Sequence, residues 1–333
     1  MKRYSLIFSK PEKIEIKKEN ISKPKDNQVL IKTIYSSIST GTELLFYKNQ
    51  INKKLLLDKN INNLKKTFKH PFKYGYSTVG KIISTGNKVP SKWQNQIVFV
   101  FHPHENYFLA TVDELIPIPK YIKPIEATFF PSMETAVNFV MDGSPLIGEN
   151  VLIYGQGIIG LLTTYLHSKF PLNKIITVEK HEKRRKKSIE LGADKSITNT
   201  ENPTNYFDNN LGADLVYELS GNPDLIEPAI KNIRYNGRII IGSFYGKRKT
   251  TISLDEKFHR NRIQIISSQV STINPKYLGR WNKNRRIDLC WKLINDLKTE
   301  RLISHKISFE NASDAYELLD KHLGETLQTI LVY

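Results

Sequence analysis

Only one cysteine, Cys290, occurs in the 333 residues. That excludes an internal disulfide and any zinc site built from several thiolates. Cys290 also falls inside an apolar helical pattern, Ile287 to Ile294, which assigns it to packing. No apolar run approaches the roughly 18 residues of a membrane-spanning helix. The opening Met1-Lys-Arg-Tyr-Ser-Leu-Ile-Phe8 is too weakly apolar for a secretory leader, so a cytoplasmic chain without a membrane partner is expected. Acidic residues are scarce as well, 33 against 50 lysines and arginines, for a formal net charge of +17. Such a balance suits nucleic acid when the charge gathers on one face. Here the lysines are scattered through most segments, so nucleic acid is not expected as the main partner. Two denser patches stand out, Lys180 to Lys187 and Arg280 to Arg286. The first reads as a solvated helix face or the lining of a cofactor's adenosine end, the second as a surface run or a clamp for an acidic group.

What is present is most distinctive between residues 150 and 179. An apolar strand, Val151 to Tyr154, runs into Gly155-Gln156-Gly157-Ile158-Ile159-Gly160 and then into a helical pattern. This is the order of a dinucleotide-binding turn: the first glycine turns tightly, the second admits a pyrophosphate, and the third lets helix and strand pack closely. A second apolar run, Lys174 to Val178, ends at Glu179, 19 residues after Gly160. A carboxylate about 20 residues on holds a ribose 2′-hydroxyl and repels a 2′-phosphate, which favours NAD over NADP. Lys180, Arg184 and Arg185 weaken that preference and keep NADP possible. Ser220 to Asn222 and Gly242-Ser243-Phe244-Tyr245-Gly246 follow predicted strands, so Ser220, Gly221, Ser243, Phe244 and Tyr245 join the expected cofactor site.

Before about residue 120 the pattern is one of short strands and turns, with strands at Tyr4 to Phe8, Lys13 to Lys17, Gln28 to Ser37, Ser77 to Ser84, Gln96 to Phe101 and Tyr107 to Thr111. This suggests a small barrel. Lys48 to His70, basic and rich in asparagine, reads as a mobile insert with at most one short helix. From about residue 124 helices and strands alternate, which implies a doubly wound parallel sheet. The expected organisation is a nucleotide-binding domain over residues 124–266, inserted into a discontinuous outer domain formed by 1–123 and 267–333.

Ser39-Thr-Gly-Thr-Glu43, Tyr74-Gly-Tyr-Ser-Thr-Val-Gly80, Leu191-Gly-Ala-Asp194 and Glu218-Leu-Ser-Gly-Asn222 resemble motifs of the medium-chain dehydrogenase/reductase superfamily, on its zinc alcohol and sorbitol dehydrogenase side. The resemblance spans nearly the whole chain and implies a Rossmann domain set into a GroES-like barrel, a small-molecule substrate and a homodimer. The departures fall on the metal. Where the family holds catalytic zinc with cysteine, histidine and a further cysteine or glutamate, the matching positions carry Thr40, Tyr76 and Pro131. The four cysteines of the structural zinc lobe are missing too, so no metal is expected. Within the superfamily, Ser39 to Glu43, Gly75 to Gly80 and Met133-Glu-Thr-Ala136 resemble a branch of bacteriochlorophyllide-type dehydrogenases.

The resemblance therefore implies an NAD(P)-dependent oxidoreductase that interconverts an alcohol and a carbonyl without zinc. Tyr76 is the first candidate for proton donor, provided its phenol is made more acidic, and the alternative is a ring that only fills the space left by zinc. Thr42 would bond the substrate oxygen or relay a proton, or else cap the helix from Glu43 to Tyr47. His102 and His104 are candidates for general acid, base or relay. Glu134 could orient Tyr76 or a histidine, or simply stabilise a helix start. Two other readings stay open: a reductase of activated carbon–carbon double bonds, and a nucleic-acid-binding protein on a dehydrogenase fold.

Overall fold

The computed structural model describes residues 1–52 and 54–333, with the Glu256 side chain left aside; Lys53, inside the expected insert, lies outside the described residues. The chain forms two compact units, one of Met1–Pro131 with Trp291–Tyr333 and one of Ser132–Cys290.

In the first unit the strands are β1 (Lys2–Lys10), β2 (Lys13–Asn20), β3 (Gln28–Ser37), β4 (Thr78–Thr85), β5 (Ile97–Val100), β6 (Tyr107–Thr111) and β7 (Ile116–Pro117). Helices α1 (Thr40–Tyr47) and α2 (Pro124–Ala127) accompany them. The second unit holds β8 (Asn150–Tyr154), β9 (Lys174–Val178), β10 (Lys195–Ile197), β11 (Ala213–Glu218), β12 (Ile233–Ile241) and β13 (Gln264–Ser267). Its helices include α4 (Ile158–His167), α5 (Glu182–Glu190), α6 (Ile226–Asn232) and α7 (Glu256–Arg260), while α3 (Phe130–Gly143) and α8 (Lys283–Leu297) carry the chain into and out of it. The first unit is completed by β14 (Ile303–Ser308), α9 (Ala312–Lys321) and β15 (Gln328–Val332).

The second unit's sheet is parallel throughout and runs β10-β9-β8-β11-β12-β13. Chain order reverses between β8 and β11, which makes that point the ligand crevice of a doubly wound sheet. Alternate residues feed two cores. Leu152, Tyr154, Ile176 and Val216 pack on one face, and Val151, Ile153, Ile175, Leu215 and Tyr217 on the other. Both faces are thus covered, which is why β8 is buried along its whole length and reads as an unbroken apolar run.

In the first unit, β14-β15-β3-β4-β5-β7 form one sheet with β6 also on β3, and β1 and β2 pair as a separate ribbon. The unit boundaries lie at Pro131/Ser132 and Cys290/Trp291, both inside helices, whereas sequence reading set them at 123/124 and 266/267. A continuous helix gives no loop or composition signal at the point where its contacts change hands. Lys48 to His70 also differs from expectation. Among its described residues Ile51, Leu57, Leu64 and Phe68 are buried in the first unit's core, and Phe68 lies edge-on to Phe46 at 5.4 Å between centroids. Its apolar residues are spaced too irregularly to show a helix or strand, yet they pack.

Candidate active site

In the second unit β8 delivers the chain to Gly155, whose φ of +89° only glycine adopts without strain. A Cβ there would lie 2.5 Å from Ser220 Cα, so the turns after β8 and β11 touch at the sheet's switch point. A Cβ on Gly160 would come within 2.0 Å of the Gly155 carbonyl, because the first turn of α4 rests on the tight turn itself. Gly157, the N-cap of α4, is different: a Cβ would meet only Arg184 Nη1, at 3.9 Å. Open space therefore lies over the helix N-terminus, where unpaired N–H groups and the helix dipole favour an anion.

The residues around this turn divide by task. Gln156 is fully buried, donating to the Gly155 carbonyl at 3.0 Å and accepting from Thr164 at 3.0 Å, so its side chain fastens the turn to α4 from within. Ile158 and Ile159 are partly exposed at the helix start. Glu179, at the end of β9, accepts the Gln156 N–H at 2.8 Å and the His181 N–H at 3.0 Å, which fixes the carboxylate's position. Arg184 is buried, and burial lowers its pKa while the charge of Glu179 raises it. Lys180 is exposed. Below the loops, fully buried Glu218 accepts the Ser220 N–H at 2.8 Å, the Ser220 hydroxyl and the Tyr245 phenol. Ser243 accepts the Gly221 N–H at 2.9 Å. Glu218, which sequence reading did not single out as a site residue, thus ties the loops after β11 and β12 together. Phe244, at 49% exposure, remains at the surface.

The first unit gathers three hydroxyls. Tyr76, just before β4, hydrogen-bonds the hydroxyl of Ser39, the residue that precedes α1. Its phenol pKa is raised by burial, lowered in part by bonds to Ser39 and Thr42, and raised again by the charge of Glu43. The net shift is upward, opposite to the acidification that sequence reading required, because burial outweighs the two hydrogen bonds. Tyr76, Ser39 and Thr42 are all partly exposed. Ser39 was visible only as a motif letter: its partner is 37 residues away.

Neither histidine is at this surface. His104 is fully buried, with Nε2 3.1 Å from Glu43 Oε2 and Nδ1 2.7 Å from Ser36 Oγ, which lies 2.9 Å from the Tyr333 hydroxyl. His102 is buried against Phe108, centroids 3.9 Å apart, with Nε2 3.1 Å from Glu105. Burial raises the Glu105 pKa, but bonding to His102 and the charges of His102 and Lys73 outweigh it and hold the carboxyl at about 2. In the second unit Glu134 accepts Arg286 Nη2 at 2.9 Å and Nε at 3.1 Å, both side chains being buried. Arg286, one of the supposed surface patch, also donates to Asn138 at 2.9 Å and the Val270 carbonyl at 2.7 Å. Glu134 is therefore half of an internal ion pair.

Zinc does not fit. Thr40 and Tyr76 offer hydroxyls and Pro131 offers no donor. Among the described residues no group of three or more histidine, cysteine, aspartate or glutamate side chains is placed to hold a metal ion.

Comparison with known proteins gives a consistent relationship. The family described as zinc-binding dehydrogenase matches residues 159–281, inside the second unit. D-guloside 3-dehydrogenase of Escherichia coli K12 is 25% identical over 268 residues, covering 77% of this chain and 76% of that protein. L-threonine 3-dehydrogenase of Pyrococcus furiosus is 26% identical over 358 residues, covering 96% and 95%. Among solved structures, a short chain alcohol dehydrogenase from Escherichia coli CFT073 complexed with NADH superposes with a TM-score of 0.80 at 20% identity, covering 100% of this chain and 99% of that one. A zinc-binding dehydrogenase from Sinorhizobium meliloti 1021 bound to NADP also gives 0.80, at 16% identity and 100% coverage of both chains. These likenesses support a place in the medium-chain dehydrogenase/reductase superfamily, and the solved structures show that the chain has its fold.

Proposed function

We propose that this protein is an NAD(P)-dependent oxidoreductase that interconverts an alcohol and a carbonyl without catalytic zinc. The observation that carries the reading is the hydroxyl cluster of Tyr76, Ser39 and Thr42, in which Tyr76 stands where the resemblance puts a zinc ligand. The nicotinamide, when bound, supplies or accepts the hydride. Residues 155–160 hold the pyrophosphate with backbone N–H groups, Glu179 takes the adenosine ribose, and Arg184 lies beside the open space over Gly157. Lys180 adds positive charge from the surface, and Gly221, Ser243, Phe244 and Tyr245 line the nicotinamide end.

In the first unit, Tyr76 keeps its proton because burial opposes its ionisation. In carbonyl reduction the phenol donates that proton to the oxygen that gains charge, and the hydroxyls of Ser39 and Thr42 stabilise the phenolate left behind. In alcohol oxidation the proton returns by the same path. His102, His104 and Glu134 act on structure rather than on substrate. The relatives' names, a guloside, sorbitol and threonine dehydrogenase, point to small alcohols with several polar groups. Titrating the protein with NADH and following nicotinamide fluorescence tests the cofactor half: saturable binding to one site per chain, tighter for NADH than for NADPH, is expected. Failure of both cofactors to saturate would remove the proposal.

A further inference from the structure

The acid cluster of Tyr76 and Ser39 is joined at two places to one buried pair, Glu43 and His104. Glu43 Oε1 accepts the Ser39 N–H at 2.7 Å, which fixes the residue that bonds the phenol. Its Oε2 accepts His104 Nε2 at 3.1 Å and the Tyr316 hydroxyl. The imidazole is held at both nitrogens, since Nδ1 lies 2.7 Å from Ser36 Oγ. Gly75, the neighbour of Tyr76, lies directly on that ring: its φ is +114°, and a Cβ would fall 2.6 Å from His104 Cδ2 and 2.6 Å from Nε2. Both sides of the Tyr76 to Ser39 contact are therefore seated on the same two side chains, each with no exposed surface.

We infer that Glu43 and His104 are positioning residues that set the Tyr76 phenol against Ser39. The inference rests on the metal-free reading of Tyr76 given above. A buried polar pair of this kind adds little net stability compared with apolar side chains of the same size. Placing the Ser39 backbone and the Tyr74–Tyr76 segment in one register is something apolar packing could not do, because it has no direction. In relatives that bind a metal, the ion itself can fix its ligands. In this chain the hydroxyls need another anchor, and Glu43 with His104 provides it.

The test needs no substrate. 3-Fluorotyrosine is introduced at position 76 and its fluorine resonance recorded in the full chain. Ser39→Ala is expected to move the resonance, which reports the contact. Glu43→Gln is expected to move it in the same sense or split it in two, and Tyr316→Phe, which deletes one hydroxyl bonded to Glu43, to move it less. Val98→Ala opens a cavity in a separate core of the same unit, the one formed with Val29, Ile31, Ile82 and Phe108, so it is expected to lower the melting temperature and leave the resonance in place. If Glu43→Gln does not fold, Tyr316→Phe carries the test alone. The inference is overturned if Ser39→Ala moves the resonance while Glu43→Gln and Tyr316→Phe do not, or if Val98→Ala moves it as far as they do. An unmoved resonance in Ser39→Ala would instead overturn the hydroxyl cluster, and with it the reading of Tyr76.

Discussion

At Tyr76, burial and hydrogen bonding pull in opposite directions, and burial prevails. The sign matters for pH. A proton donor whose pKa lies above its ordinary value of about 10 stays loaded through neutrality, so carbonyl reduction should hold steady up to roughly that pH and fall only beyond it. Tyr76→Phe should lower turnover by about 10² to 10⁴-fold, the usual worth of a positioned acid, with melting temperature and NADH affinity little changed. Glu134 is predicted to behave in the reverse way. Glu134→Ala leaves the buried Arg286 guanidinium without its carboxylate, so urea unfolding should show a loss of about 3 to 5 kcal/mol. Both residues were singled out from the sequence, but only as residue types. That Tyr76 meets Ser39 and that Glu134 meets Arg286, 152 residues away, are tertiary facts with no local pattern to announce them.

The turn from β8 into α4 was the most legible element. Its glycines act over six residues, and the strand, the turn and the helix each leave their own period in the sequence. The three glycines should nonetheless respond differently. Gly157→Asp puts a carboxylate into open space, so the fold should survive while NADH binding is lost. Gly160→Ala drives a methyl group onto the Gly155 carbonyl, so the second unit itself should be destabilised, visible as a lower melting temperature. The segment from Lys48 to His70 was least legible. Its lysines and asparagines suggested an unpacked insert, and only the structure shows Phe68 at 3% exposure in an aromatic group with Phe46 and Phe72. The short strand β10 was likewise not anticipated, because three residues are too few to show a period.

Across the whole molecule, acid should act on both units through buried groups. His167 is buried, and burial lowers its pKa from 6.5 to about 4, so below pH 6.5 the unfolded chain takes up a proton that the folded chain refuses. Stability should then fall by about 1.4 kcal/mol per pH unit down to about pH 4. Glu105 continues the decline: its carboxyl, at 4.5 when unfolded and about 2 when folded, is protonated first in the unfolded chain over that range. Urea unfolding of the wild type and of His167→Leu across this range should show the upper limb flattened in the variant and the lower limb kept. The net charge of +17 is legible from composition, and its scatter along the chain from the order of the residues. The boundaries between the units were not, because they pass through α3 and α8.

The most direct test of a metal-free dehydrogenase is NAD⁺-dependent turnover on a panel of polyols, sugar glycosides and hydroxy amino acids. The protein is assayed after exhaustive chelation, its zinc content measured, and assayed again after zinc is restored. NADH should form at the same rate in both preparations and be lost in Tyr76→Phe. A rate that vanishes on chelation and returns in proportion to bound zinc would contradict the account.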